Sequence, residues 1–328
     1  MAEIKRTITT ILSKSRYVRG LQCHKSLWLA TYGESGLRHV SAEAEASFQQ
    51  GNVVGELAQD IFPGGVLVPF NGLSFEEQLA TTEKTMKDSK VIYEGTFNHD
   101  GILVKVDIMR KVRGGWELYE VKSSTSAKDV YYDDVAVQYY VLTGAGVNIT
   151  KAFVVHLDSG YVRSGKLDLN ALFKINDVTA EVRELQPDVK KEIARQKRLL
   201  KSGEPDIDIG PWCTDPYDCD FMGHCWKHIP DNSVFDLAGR GADKFALYNQ
   251  GIVRLRDVPL EKLKGKQLQQ VEALLKKKTI VDKKAIKCFL SEIWYPLYFF
   301  DFETFQSGIP PYNGLRPYQQ IPFQFSVH

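Results

Sequence analysis

Neither sign of charge is in excess in this chain: 42 Lys and Arg stand against 41 Asp and Glu, a formal net charge of +1. That balance excludes a protein whose whole surface attracts nucleic acid, and leaves only local basic stretches for such contact. Cysteine is scarce as well, with five residues, too few for a disulfide-built secreted scaffold. The start, MAEIKRTITTILSKSRYVRG, lacks a continuous apolar core of the length a secretory leader needs. A cytoplasmic location without a membrane partner is therefore expected. At 328 residues, 43% hydrophobic and 25% charged, the chain is globular and long enough for about two domains.

What is present starts with three strands. Residues 91–98 (VIYEGTFN) and 102–112 (ILVKVDIMRKV) are rich in β-branched and aromatic side chains, with His99, Asp100 and Gly101 as hairpin punctuation between them. Arg113, Gly114 and Gly115 turn the chain into a third strand, residues 116–122 (WELYEVK). Side chains alternate along a strand, so Glu120 and Lys122 share one face. Antiparallel pairing brings Asp107 onto the ribbon beside Glu120, where cross-strand partners lie within about 5 Å. Two carboxylates that close need a cation between them, and magnesium or manganese suits oxygen ligands. An isolated Glu-X-Lys on a strand is more often a solvated charge pair, so the rest of the chain has to carry the reading.

Asp107, then Glu120-Val121-Lys122, then a helix carrying Gln138 resembles the active-site series of the PD-(D/E)XK nucleases, most of all the RecB-type exonucleases. The resemblance implies Asp107 and Glu120 as metal ligands for Mg2+ or Mn2+, the Val121 carbonyl as a further ligand and Lys122 as the catalytic lysine, with Gln138 contributed by the following helix. The chemistry implied is metal-assisted phosphodiester hydrolysis. Two departures stand out. Gly55 occupies the place where those enzymes carry a metal-binding His, which leaves Glu56 as the nearest substitute. Tyr139 and Tyr140 follow Gln138 directly, and Leu142 takes the place of the usual tyrosine.

Four of the cysteines have a pattern. Cys23 stands alone near the start, whereas Cys213, Cys219 and Cys225 follow with five residues inside each interval; Cys288 is left over. Metal binding is the better default for such a set in a chain without a leader. Paired zinc ligands sit two to four residues apart, which these intervals do not match. One early cysteine and three late ones resemble the iron-sulfur RecB-type nucleases, among them the AddB nuclease domain and the CRISPR-associated RecB-like exonucleases. By that resemblance the four would hold a 4Fe-4S cluster clamping the two ends of the domain, zinc and unliganded thiols being the alternatives. Ser13 is placed to cap a helix over residues 14–22 that delivers Cys23. Residues 210–226 (GPWCTDPYDCDFMGHCW) are turn-forming. His24, His224 and His228 nearby read as packing or surface residues.

The order of helix (43–62), three strands, helix (133–143) and strand (151–157) matches a restriction-endonuclease-like α/β core, a central mixed sheet flanked by helices. A charged helical stretch follows, restarted at Pro187. Its Lys190, Lys191, Arg195, Lys197, Arg198 and Lys201, like Lys276 to Lys278 further on, read as solvated faces with phosphate contact as the alternative. The domain expectation is a nuclease domain over 1–228, a helical connector over 229–290 and an incomplete last part over 291–328. Residues 245–275 show a weak similarity to a helix-hairpin-helix. Residues 294–300 (WYPLYFF) read as a strand running into Asp301 and Glu303, which resembles the first motif of DnaQ-like exonucleases of the ribonuclease H-like fold. No Asp or Glu follows Glu303, so this second site is expected to be incomplete and the chain to be the amino-terminal part of a longer protein. The combined series resembles a bacterial family joining an iron-sulfur RecB-type nuclease to a DnaQ-like domain. It implies a DNA nuclease acting on single-stranded ends in repair or defence, with DNA and repair or defence proteins as partners. The competing readings are a non-catalytic nucleic-acid-binding or assembly module and a zinc-stabilised RNA-processing factor.

Overall fold

The computed structural model describes residues 12–69, 71–239 and 241–328, so most of the stretch read for a leader, residues 1–11, lies outside the described residues. The chain divides into two compact units. The first comprises residues up to Ile207 together with Thr304–Pro322, and the second comprises Asp208–Glu303 with Phe323–His328.

The first unit is mixed α/β. Its elements in order are β1 (Leu12–Ser13), α1 (Lys14–Gln22), α2 (His24–Tyr32), α3 (Ala42–Gln59), β2 (Val66–Leu67), α4 (Phe75–Asp88), β3 (Val91–His99), β4 (Ile102–Val112), β5 (Gly115–Lys122), α5 (Asp129–Gly144), β6 (Ile149–Leu157), α6 (Leu169–Leu172), β7 (Phe173–Asp177), α7 (Thr179–Glu184) and α8 (Gln186–Leu199). The sheet runs β2-β3-β4-β5-β6-β7, with β1 added parallel to the start of β4. β3, β4 and β5 are antiparallel neighbours, whereas β5 and β6 are parallel across the α5 crossover. The three-stranded ribbon and a central mixed sheet flanked by helices are therefore present as expected.

Local chemistry explains most boundaries. Asp100 (φ 50°) and Gly101 (φ 65°) form the two-residue β3–β4 turn with the positive φ values such a hairpin requires. The Ser13 hydroxyl caps α1 by accepting from the Arg16 N–H at 3.3 Å, and a Ser74–Glu77 capping box starts α4. Pro187 sits in the first turn of α8, where its missing N–H costs nothing. The expected helix over 133–143 begins a turn earlier, at Asp129. Most cations of α8 are exposed, with Lys191 paired to Asp188 and Lys197 to Asp100.

Each sheet face has its own core. The row Ile92, Met109, Leu118 and Ala152 belongs to the larger cluster, which α1, α2, α5, α7 and α8 cover. The next row, Tyr93, Ile108, Tyr119 and Phe153, faces the opposite way, against Val54 and Ala58 of α3. The period-two alternation of these strands is what separates the two clusters.

In the second unit the short helices are α9 (Met222–Cys225), α10 (Lys244–Asn249), α11 (Gly265–Lys276) and α12 (Lys283–Ser291); β8 (Phe300–Phe305) and β9 (Ile321–Val327), most of whose residues belong to the same unit, form a two-stranded sheet. Val234, Leu237, Leu247, Leu255, Val258, Leu263 and Val271 make its core. Three differences from expectation follow. The boundary falls before Asp208 rather than after residue 228, because the Asp208 carboxylate accepts from the Tyr248 hydroxyl at 2.8 Å and the Trp226 ring packs on Phe235 and Phe245. α10 and α11 are separated by two 3-10 turns, Leu255–Asp257 and Leu260–Lys262, rather than by one tight hairpin. The last apolar strand starts at Phe300 instead of residue 294, since Pro296 has no N–H for a ladder. Among the described residues no helix is long and apolar enough to cross a membrane.

Candidate active site

The site lies where the apolar row next in sequence is interrupted. Tyr93 pairs with Ile108 and Gly95 with Val106, which leaves Glu94 and Asp107 facing each other without a ladder pair. Pairing between β4 and β5 ends at Ile108 and Tyr119, one residue short of Asp107 and Glu120. Glu94 takes φ 57°, a left-handed backbone that non-glycine residues rarely adopt. Where the strands part, the Asp107 carboxylate accepts the Val121 N–H at 2.7 Å. The N–H and C=O of a strand residue face the same neighbour, so the Val121 carbonyl turns toward β4 as well.

By the same alternation, Glu94, Asp107, Glu120 and Lys122 share the face covered by α1 and α5. Glu120 is 2% exposed, and both of its oxygens are occupied. Oε1 accepts from Lys14 Nζ and Lys122 Nζ, each at 2.8 Å. Oε2 accepts from Lys14 Nζ at 3.0 Å and from Gln138 Nε2 at 2.7 Å. Two partners on α5 hold the donors in place. Lys122 pairs with Asp134 and stands 5.2 Å from the Tyr131 ring centre, whereas Gln138 Nε2 also reaches the Asp134 carbonyl at 2.9 Å. The two acceptors fix the amide orientation and leave Gln138 Oε1 buried without a hydrogen-bond partner.

The electrostatics are uneven. Burial, then the Glu120 charge, pushes Asp107 up to about 7 from 3.8, against the opposing pull of Lys14. Burial acts upward on Glu120 too, yet Lys122 and Lys14 outweigh it and hold the group well below the carboxylate range. Burial would lower the Lys122 ammonium, but Glu120 and Asp134 raise it above its usual value. Burial raises Glu94. Four carboxylates, Glu94, Asp107, Glu120 and Asp134, thus stand among three ammonium groups, Lys14, Lys122 and the Lys105 that acts on Glu94, a formal excess of one negative charge. Asp107, Glu120 and the Val121 carbonyl supply oxygen donors only, which fits a hard divalent cation.

The structure brings Asp107, Glu120, Val121, Lys122 and Gln138 together. Glu56 is not among them. Val54 and Ala58, one turn apart on α3, bury against the opposite sheet face, and Glu56 lies about 200° around the helix from Val54, so it is exposed. Lys14, Glu94 and Asp134 were missed. The signal available was periodic: Asp134 precedes Gln138 by one helical turn, and Glu94 is a lone acid in an otherwise uncharged strand run.

Asp301 and Glu303 both lie within β8, exposed and without a neighbouring acid cluster among the described residues. The cysteines divide. Cys23 is the junction of α1 and α2 in the first unit, and Cys213, Cys219 and Cys225 occupy one turn-rich loop of the second. The Gly210 N–H points at Cys213 Sγ at 3.5 Å, and the Cys219 N–H donates to the Cys213 carbonyl at 2.9 Å. His224 Nδ1 and Trp226 Nε1 of that loop are buried without hydrogen-bond partners. Such groups fit an absent acceptor such as cluster sulfide. Among the described residues no three His, Cys, Asp or Glu side chains gather at metal-holding spacing, neither the cysteines nor the acids around Glu120. His24 binds Glu192 at 2.6 Å and His228 the Tyr248 hydroxyl at 2.7 Å, as packing residues do.

Residues 298–328 match a family model described as "Domain of unknown function (DUF2779)". No curated protein matches the chain. Among solved structures, the chain is similar to the alkaline exonuclease LHK-Exo from Laribacter hongkongensis. In its complex with dAMP that protein is 13% identical, with 61% of this chain and 95% of that one covered at a TM-score of 0.34. A second similar structure, SSO0001, is 12% identical over 68% of this chain and 95% of its own, at a TM-score of 0.31. At such scores the reading of the site rests on its own residues.

Proposed function

We propose that this chain is a metal-dependent nuclease that hydrolyses phosphodiester bonds in DNA, with single-stranded ends as substrate. One observation carries the reading: Asp107 and Glu120 meet where β4 and β5 part, beside the Val121 carbonyl and Lys122, with more negative charge than the neighbouring lysines neutralise. Asp107, Glu120 and the Val121 carbonyl would hold Mg2+ or Mn2+. A divalent ion bound there supplies Lewis-acid polarisation of a phosphate and lowers the pKa of a bound water. Lys122, fixed by Glu120 and Asp134, would orient the attacking water or stabilise the developing charge. Gln138 keeps Glu120 in place and offers its unpartnered Oε1 as an acceptor.

The same proposal includes a 4Fe-4S cluster on Cys23, Cys213, Cys219 and Cys225. It is supported by the buried, unpartnered nitrogens of His224 and Trp226 in the cysteine loop. Anaerobic purification should yield iron and acid-labile sulfide in equal amounts, whereas stoichiometric zinc rejects the cluster. With Mn2+ the protein should degrade single-stranded DNA, and Lys122→Ala should lower the rate by about 100-fold or more, the usual cost of losing a fixed group that stabilises developing charge. Absence of any DNA cleavage, or a Lys122→Ala protein as active as the parent, refutes the reading.

A further inference from the structure

Lys14 is the residue the proposed reaction does not use. Its ammonium donates to both oxygens of Glu120, at 2.8 and 3.0 Å, and acts on Asp107 and Asp134 as well. The chain delivers it there rigidly. β1 pairs with Ile102 and Leu103 of β4, the Leu12 N–H donates to the Gly101 carbonyl at 3.2 Å, and Lys14 opens α1 directly after the Ser13 cap. A cation in the first turn of a helix opposes the macrodipole, where acids are favoured, so its position is explained by the carboxylates and not by the helix.

We propose that Lys14 is the resident counter-ion of the carboxylate site, standing on the Glu120 oxygens that a divalent cation takes and giving them up when that cation binds. The inference rests on the metal reading above. All four acceptor positions of Glu120 are filled, two by Lys14, one by Lys122 and one by Gln138, so a divalent ion reaches this carboxylate only by displacing a donor. Lys122 and Gln138 are each held by a second partner on α5, Asp134. Among the described residues Lys14 donates to Glu120 alone, and its long flexible stem lets the ammonium withdraw without moving α1. The same ammonium keeps the buried acids from repelling one another in the metal-free protein. Lys14 therefore links folding without metal to affinity for metal, with opposite sign.

The test is Mn2+ binding by calorimetry together with thermal unfolding in EDTA and in Mn2+, on the full chain with and without Lys14→Met. Lys14→Met should bind Mn2+ at least about tenfold more tightly, since no ammonium has to leave. In EDTA it should melt below the parent, and Mn2+ should raise its melting temperature by more than it raises the parent's. Parent binding that is unchanged or weakened by Lys14→Met overturns the counter-ion role while leaving the metal site standing. Absence of Mn2+ binding by both proteins overturns the site and this role together. If Lys14→Met fails to fold in EDTA, Lys14→Gln, which keeps one neutral donor for Glu120, carries the same comparison and the same refutation.

Discussion

Asp107→Asn should stabilise the metal-free protein, and the gain should depend on pH in a defined direction. Asp107 is buried beside Glu120, and its carboxyl is pushed from 3.8 up to about 7. Between those values the folded chain keeps a proton that the unfolded chain has lost, so this group's contribution to stability falls as pH rises. Below about 4 both states are protonated and the contribution is flat; above about 7 both are ionised and the full penalty is present. At about 1.4 kcal/mol per pH unit, the interval corresponds to about 4 kcal/mol. Asparagine has nearly the same shape, carries no charge, and its Oδ1 can still accept the Val121 N–H that Asp107 accepts at 2.7 Å. Denaturant unfolding in EDTA should therefore give nearly equal stabilities for the two proteins near pH 4. The variant should then gain steadily, to a ceiling of about 4 kcal/mol near pH 8. Taking the difference between the proteins cancels the titrating groups that do not interact with Asp107. A difference that does not change between pH 4 and 8, or an Asn variant less stable than the parent at pH 8, refutes the claim that Asp107 is held against its own charge.

Two further substitutions test the scaffold. Leu118→Ala removes a fully buried side chain from the central strand β5 and should cost about 3 kcal/mol in urea unfolding, the usual penalty for such a cavity. Ser74→Ala removes the hydroxyl that accepts the Glu77 N–H at 3.2 Å and half of the α4 capping box; a loss of about 1 kcal/mol is expected, which Ser74→Asn should largely restore.

The strands that carry the site were legible because two signals agreed: β-branched composition and turn residues with a fixed backbone requirement. Asp100 and Gly101 predict the β3–β4 turn and occupy it with positive φ. Asp107, Glu120 and Lys122 then follow from register, since a strand's alternation puts them on one face whatever packs there. α4 was not read despite its capping box, because the side chains it buries include the polar Gln78 and Thr82 in place of an apolar stripe. β7 is five residues of mixed polarity, Phe173–Asp177, whose strand state depends on pairing with β6 that no local pattern encodes. The start of the last strand was misjudged for the opposite reason. Apolar residues 294–300 look like a strand by composition, and the backbone follows the proline instead.

The site's missing members share one property: they act across elements. Lys14 is 106 residues from Glu120, and only the pairing of β1 with β4 carries it to the carboxylates. Glu94 matters through the unmade pair opposite Asp107, and that gap is invisible until the ladder is built. Glu56 failed by the same logic, because sequence proximity to Gly55 says nothing about which sheet face α3 covers. A helix burying Val54 and Ala58 against Tyr119 lies on the face opposite Glu120, so any side chain it offers must cross the sheet to reach the acids. Glu56 was expected as a metal ligand beside the carboxylates; the group that reaches them from α1 is instead an ammonium, Lys14. An acid there would have added to a surplus of negative charge that already raises Asp107. A lysine reduces that surplus, which lets these acids be buried together.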